Sequence, residues 1–197
     1  TCHLGNGASI TAVEGGKCVN TSMGFTPLAG IMMGTRCGDI DPAIVLYLMN
    51  KTGMSTAEMD TTLNKKSGML GLSGVSSDAR DVEIAAANGN QRAILTQNIY
   101  VNRIVNVVGG YFMQMGGCDA IVFTAGLGEN DAKIRPMVCA GIAKGMNLKI
   151  NEELNAKVRS KEIMISNEDS KVQAWIIPTN EELVIARDTY HLLGLAN

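Results

Sequence analysis

The stretch Ala120-Ile121-Val122-Phe123-Thr124-Ala125-Gly126-Leu127-Gly128-Glu129-Asn130-Asp131 decides the fold. Its first half is a short apolar, β-branched run bounded by turn residues, the pattern of a buried strand. Gly126 and Gly128 read as the turn that stops it. Glu129, Asn130 and Asp131 suit the capped first turn of a helix, with its body expected over residues 132–142. Strand, glycine turn and helix start are how α/β proteins hold a phosphorylated ligand, because glycines let the backbone come close and free N–H groups face the anion. The same residues would also serve an ordinary strand-to-helix turn. Neither standard nucleotide fingerprint is present. A dinucleotide fold wants a third small residue where Asp131 stands, and G-x-x-x-x-G-K-[ST] does not occur.

Outward from that stretch the chain alternates elements. Residues 91–115 place Ile94, Val101, Ile104, Val108, Phe112 and Met115 at helical spacing, the longest expected helix. The pair Gly109-Gly110 inside it costs about 2 kcal/mol against alanine, so a close helix–sheet contact or a kink is expected there. Residues 9–13 and 17–21 flank Glu14-Gly15-Gly16 as a β-hairpin, and with the segment at His3 they suggest three antiparallel strands. Residues 22–39 form a long glycine- and methionine-rich loop, and loops of that length are usually functional. Asp41-Pro42 starts a helix, and Ser55 with Glu58 makes a capping box for the next, running to about Lys66. Gly68 to Gly74 reads as a second glycine-rich connector, and a short helix follows over residues 78–87. Beyond residue 142 an extended piece spans 146–150, Asn151 caps a helix to about Arg159, and strands are expected at 162–166 and 172–177. A turn at Pro178-Thr179-Asn180 leads into a final amphipathic helix, residues 181–193. This order gives an α/β domain with a mixed sheet flanked by helices.

The 197 residues are 46% hydrophobic and 18% charged, with a formal net charge of −2. That fits a globular core and disfavours nucleic acid or an anionic membrane surface as partner. No apolar run reaches transmembrane length. The five cysteines are scattered, with neither C-x-x-C pairs nor zinc spacing, and read as reduced thiols of a cytoplasmic protein. Thr1 to Gly5 reads as the tail of a strand whose first half is absent, so the chain is expected to be part of a longer protein.

Four further places concentrate chemistry. In His3-Leu4-Gly5-Asn6-Gly7, two glycines around an Asn make a tight turn whose N–H groups suit an anion, unless it is a plain hairpin turn. Arg36 lies in Gly34-Thr35-Arg36-Cys37-Gly38-Asp39, where its planar donor fork suits a transferring phosphoryl group. The alternative there is an ion pair with Asp39 or Asp41. Asp78-Ala79-Arg80 opens a helix with Asp78 as N-cap, and Glu181 or Glu182 stands where it favours a helix dipole.

In order along the whole chain, His3 to Pro27, Met33 to Pro42, Phe123 to Asn130 and Ile177 to Leu183 closely resemble the C-terminal half of acetate kinases. The resemblance implies an actin-like ATPase (ribonuclease H-like) fold, with residues 1–180 as the nucleotide-binding domain. Residues 181–197 would be a helix packing toward an N-terminal half. It implies ATP and acetate giving acetyl phosphate and ADP, with Mg²⁺, in a cytoplasmic homodimer. By that resemblance His3, Leu4, Gly5, Asn6 and Gly7 bind phosphate. Arg36 stabilises the transition state, with Asn6 beside the transferring group. Pro27 walls the acyl pocket. Asp78, Ala79 and Arg80, with Gly126, Leu127, Gly128, Glu129 and Asn130, bind adenosine, and Glu181 holds the metal. Ala79 stands where relatives often carry an aromatic. The family's second catalytic arginine, its catalytic Asp, another His and most of the acetate pocket lie outside this chain. Isolated, it is expected to be inactive. Propionate or butyrate kinase, and a non-catalytic actin-like nucleotide-binding module, are the alternatives.

Overall fold

A computed structural model describes residues 1–195; the last two of the expected 181–197 segment lie outside the described residues. The strands are β1 (Cys2–Leu4), β2 (Ala8–Glu14), β3 (Lys17–Thr21), β4 (Ala120–Thr124), β5 (Ile163–Met164) and β6 (Gln173–Ile176). They form one mixed sheet in the order β3-β2-β1-β4-β6-β5. β4 lies parallel between β1 and β6, while β1, β2 and β3 run antiparallel as the hairpin pattern predicts. Gly15 and Gly16, at φ 56° and 77°, make the two-residue turn that matches strand twist.

The helices are α1 (Pro42–Thr52), α2 (Thr56–Lys65), α3 (Gly68–Ser73), α4 (Ala79–Ala87), α5 (Gln91–Gln114), α6 (Ala125–Asn130), α7 (Ile134–Met146), α8 (Glu152–Lys157) and α9 (Glu181–Leu192). Their starts are set by local chemistry. The Asp41 carboxylate accepts from the Ala43 N–H ahead of Pro42, and Ser55 and Glu58 complete the capping box. Asn90, Asn151 and Asn180 cap α5, α8 and α9 in the same way.

The alternation of β1 and β4 buries Cys2, Leu4, Ile121 and Phe123, which join Tyr100, Ile104 and Val108 of α5 and Val138, Cys139 and Ile142 of α7 in one core. Each such side chain is worth about 1.5–3 kcal/mol on full burial.

Several expectations need correction. Gly126 and Gly128 are not a turn before a helix; they lie inside α6, which starts directly at Ala125. Ala125 itself takes the left-handed conformation, at φ 63°, and so supplies the bend the glycines were expected to make. The following helix begins at Ile134, where the Asp131 carboxylate accepts from the N–H groups of Lys133 and Ile134. The connector expected at Gly68 to Gly74 is the short helix α3, ended by Gly74 at φ 67°. No close contact explains Gly109-Gly110, since a side chain at either would meet nothing within 4 Å. Met146 belongs to α7, and the expected extended piece after it is reduced to a single bridge from Ile150 to Ser166.

Candidate active site

A cleft of about 630 Å³ opens where β1 and β4 end. Gly5 and Asn6 of the β1–β2 turn line one side, and Gly126, Leu127 and Asn130 of α6 line the other. Asp78, Ala79 and Arg80 close it from the start of α4. The structure thus brings together eight of the residues singled out in the sequence. Glu83 joins them one turn after Ala79, a position that helical spacing makes legible. Gly34, Ser77 and Asp131 also line it, each adjacent to or within a stretch already marked, whereas Met69 comes from α3, where the sequence gives no signal.

Asp78 is an N-cap, accepting from the Arg80 N–H at 2.9 Å, and it also pairs with the Arg80 guanidinium. These Arg80 donors hold its carboxyl down at about 2. The cap reading therefore stands, on a residue that also faces the cleft.

Beside the cleft lies a second cluster. The Gly34 N–H donates to the Asn6 carbonyl at 3.1 Å, joining the β1–β2 turn to the loop that carries Arg36. A side chain at Gly7 would lie 3.1 Å from Arg36 Nη2, so the guanidinium sits over bare backbone. Arg36 Nη1 donates to the Pro27 carbonyl at 2.6 Å. The expected arginine and the expected wall of the acyl pocket are thus in contact. The ion-pair alternative is not what the structure shows: among the described residues Arg36 makes no salt bridge, and Asp39 accepts instead from the Gly30 N–H. The long loop is held by α2 and α3, through Cys37 N–H to Leu63 O, Ser67 N–H to Thr35 O and Met69 N–H to Met33 O.

Other expected site residues lie away from the cleft. Leu4 is fully buried core, and Gly128 is buried with its Cβ position 3.1 Å from the Phe123 backbone. His3 sits on β1 with Nε2 3.6 Å from where a Gly5 side chain would be. Glu129 is only 8% exposed, and its carboxylate turns inward. Oε1 accepts from the Ala125 N–H at 2.9 Å and from the Thr179 N–H and hydroxyl at 3.0 and 3.2 Å. Oε2 accepts from the Ser160 hydroxyl at 3.1 Å. Glu181 is exposed at the first position of α9, two residues past Thr179. Beneath α6, the fully buried Arg135 donates to the Gly128 carbonyl and to Asn155. Burial, with Arg159 nearby, pulls its guanidinium down to about 10. That residue gave no sequence signal.

The sheet order, with its antiparallel opening and parallel centre, and the cleft at the strand ends define an α/β domain of the actin-like ATPase, ribonuclease H-like class. Residues 1–187 match the acetokinase family, and the chain belongs to it. It is 58% identical to the acetate kinase of Methanosarcina acetivorans, over 96% of this chain and 46% of that protein. It is 56% identical to that of Methanosarcina thermophila, over 98% and 47%. Among solved structures, Porphyromonas gingivalis acetate kinase superposes with a TM-score of 0.92 at 46% identity, over 98% of this chain and 48% of that one. A propionate kinase from Francisella tularensis superposes at 0.87 and 43% identity, over 94% and 47%. The chain spans about half the length of the curated relatives it matches.

Proposed function

We propose that this chain is the C-terminal half of an acetate kinase, transferring the ATP γ-phosphoryl group to acetate to give acetyl phosphate and ADP, reversibly. The observation that carries this is the junction of two clusters. Asn6 lines a cleft of nucleotide size and is tied through Gly34 to the loop that sets Arg36 over Gly7.

In the transfer, an acetate oxygen forms a bond to the γ-phosphorus as the bridging β–γ P–O bond breaks, and ADP keeps the electron pair. Charge spreads over the equatorial oxygens, so positioning and neutralisation do the work. Arg36 supplies a planar cation and Asn6 an amide donor to those oxygens. Adenosine would lie against Ala79, Gly126 and Leu127. Among the described residues no group of three or more His, Cys, Asp or Glu could cage a metal. A nucleotide-borne Mg²⁺ needs no cage, since it keeps several waters and takes one or two carboxylates. Glu181, an exposed carboxylate at the start of α9, is the residue that would take that part through water, and the ion would neutralise phosphate charge. Glu182, about 100° round the helix, does not share it.

The N-terminal half would supply the remaining charge and most of the acyl pocket, so the isolated chain should not turn over. α9 has no buried residue and exposes Val184, Ile185 and Leu192, which suits packing against that half. α1 likewise buries nothing and exposes Leu46 and Tyr47, a surface suited to a second copy in a homodimer. The apolar face of α5, with Ala93, Tyr100, Ile104 and Val108, is taken up by the core instead. No described helix is long and apolar enough to cross a membrane, and a cytoplasmic location is part of the proposal.

The likeness to a propionate kinase favours one second reading, a longer acyl acceptor. A methylene in a pocket discriminates by only about 1–3 kcal/mol. Acyl phosphate formation by the full-length protein on acetate, propionate and butyrate tests both: the highest kcat/KM is expected with acetate. Preference for propionate moves the assignment to the second reading, and nucleotide binding without any acyl phosphate moves it to a non-catalytic module.

A further inference from the structure

We propose that Glu129 is a positioning residue, a carboxylate that locks the α6 wall of the cleft to the turn carrying Glu181, so that nucleotide and its metal are held in register. This rests on the phosphotransferase reading above.

A carboxylate this buried is costly unless donors satisfy it. Here four do, and they come from three segments far apart in sequence: Ala125 at the β4–α6 junction, Ser160 before β5, and Thr179 between β6 and α9. A helix cap alone would engage only Ala125. No described ion pair includes Glu129, so its partners are neutral groups chosen by position.

The backbone around it is strained. Among the described residues three that are not glycine have positive φ, and two of them, Ala125 at 63° and Ser160 at 38°, donate to this carboxylate. Such conformations persist where the surroundings over-determine them, and they cluster at working sites. Ala125 leads directly into Gly126 and Leu127 of the cleft wall.

The Ser160 hydroxyl also lies 3.0 Å from the side-chain oxygen of Asn130, which lines the cleft. A hydroxyl has one proton, so Glu129 and Asn130 share a single donor. On the far side, Thr179 stands two residues before Glu181. Glu129 is therefore the one described residue bonded both to the start of the α6 wall and to the turn before α9.

Glu129→Gln in the full-length protein tests this, because the amide keeps the shape and puts an N–H₂ where a donor now points. Two readouts apply. Amide hydrogen exchange at Ala125 and Thr179 should speed up together, by about tenfold or more. The Mg²⁺ concentration for half-maximal rate should rise about tenfold, and that rise should vanish in a Glu181→Ala background. Exchange at Thr179 equal to wild type, coincident Mg²⁺ curves, or a Mg²⁺ shift that persists undiminished without Glu181 would each overturn the proposal. Should Glu129→Gln fail to fold, Thr179→Val, which removes one hydroxyl bond, decides it. Position 179 should then exchange faster while Ala125 does not, and equal exchange at 179 would overturn the lock. A wild-type protein that makes no acyl phosphate would sink the functional reading instead, while the exchange data would still judge the lock.

Discussion

The two walls of the cleft are built on different principles. On the Asn6 side, glycine serves the protein's own packing. A side chain at Gly34 would strike the Asn6 amide and lie 2.8 Å from the Ser77 carbonyl, and one at Gly68 would lie 2.8 Å from the Arg36 carbonyl. Backbone meets backbone there, and Arg36 is delivered on the result. On the α6 side, a side chain at Gly126 would meet nothing within 4 Å. On the proposed function that open glycine leaves room for the nucleotide, and the wall is held from behind by Glu129 and Arg135. One residue type thus does opposite jobs across a single cleft, and substitutions should separate them.

The largest effect is expected at the tip of the first wall. Arg36→Ala in the full-length protein should lower kcat by about 10³–10⁵ while KM for ATP moves far less, because on the proposed function the guanidinium acts on charge that develops in transfer. A variant within about tenfold of wild type would remove Arg36 from the mechanism.

The comparison itself is sharpened by a glycine on each wall. Gly126→Val should raise KM for ATP by about tenfold or more, close to 1.4 kcal/mol, with the thermal midpoint unchanged. Gly34→Ala should do the reverse in emphasis, costing about 1–3 kcal/mol of stability through overpacking against Asn6. Equal losses of stability in the two variants would dissolve the distinction between the walls.

The smallest effect concerns the helix behind the second wall. Cys139 of α7, one turn from Arg135, is buried, and burial pushes its thiol up to about 12 from an ordinary 9.0. Its pKa is raised on folding, so its contribution is complete below pH 9 and is lost as pH rises from there toward 12. By pH 10 that loss is about 1 kcal/mol. Cys139→Ala should flatten the fall in stability between pH 9 and 10, measured by urea unfolding. An unchanged slope would show that this thiol does not govern it.

What the sequence made legible was local. Asp41-Pro42, Ser55 with Glu58, and Asn151 are caps whose chemistry lies within a few residues, and the helices start where they say. The apolar, β-branched run at Ala120 to Thr124, bounded by turn residues, placed the central strand. Two of the misreadings share a physical source: glycine reads as a breaker at Gly68 to Gly74 and at Gly126 to Gly128, where tertiary contacts instead support short helices. The bend fell on Ala125, and nothing about an alanine announces a left-handed backbone. For the same reason Glu129 read as a residue facing a ligand. Its inward turn depends on Ser160 and Thr179, 31 and 50 residues away. Met69 enters the cleft only because α3 packs there, a fact no motif carries.

The most direct test of the account is a crystal structure of the full-length protein with Mg²⁺ and ADP. The adenosine should lie against Ala79, Gly126 and Leu127, the phosphates should run toward Asn6 and the Arg36 loop, and Glu181 should reach the metal through water. Nucleotide bound elsewhere, or bound with its phosphates pointing away from Asn6, would contradict the claim that these two walls form one phosphoryl-transfer site.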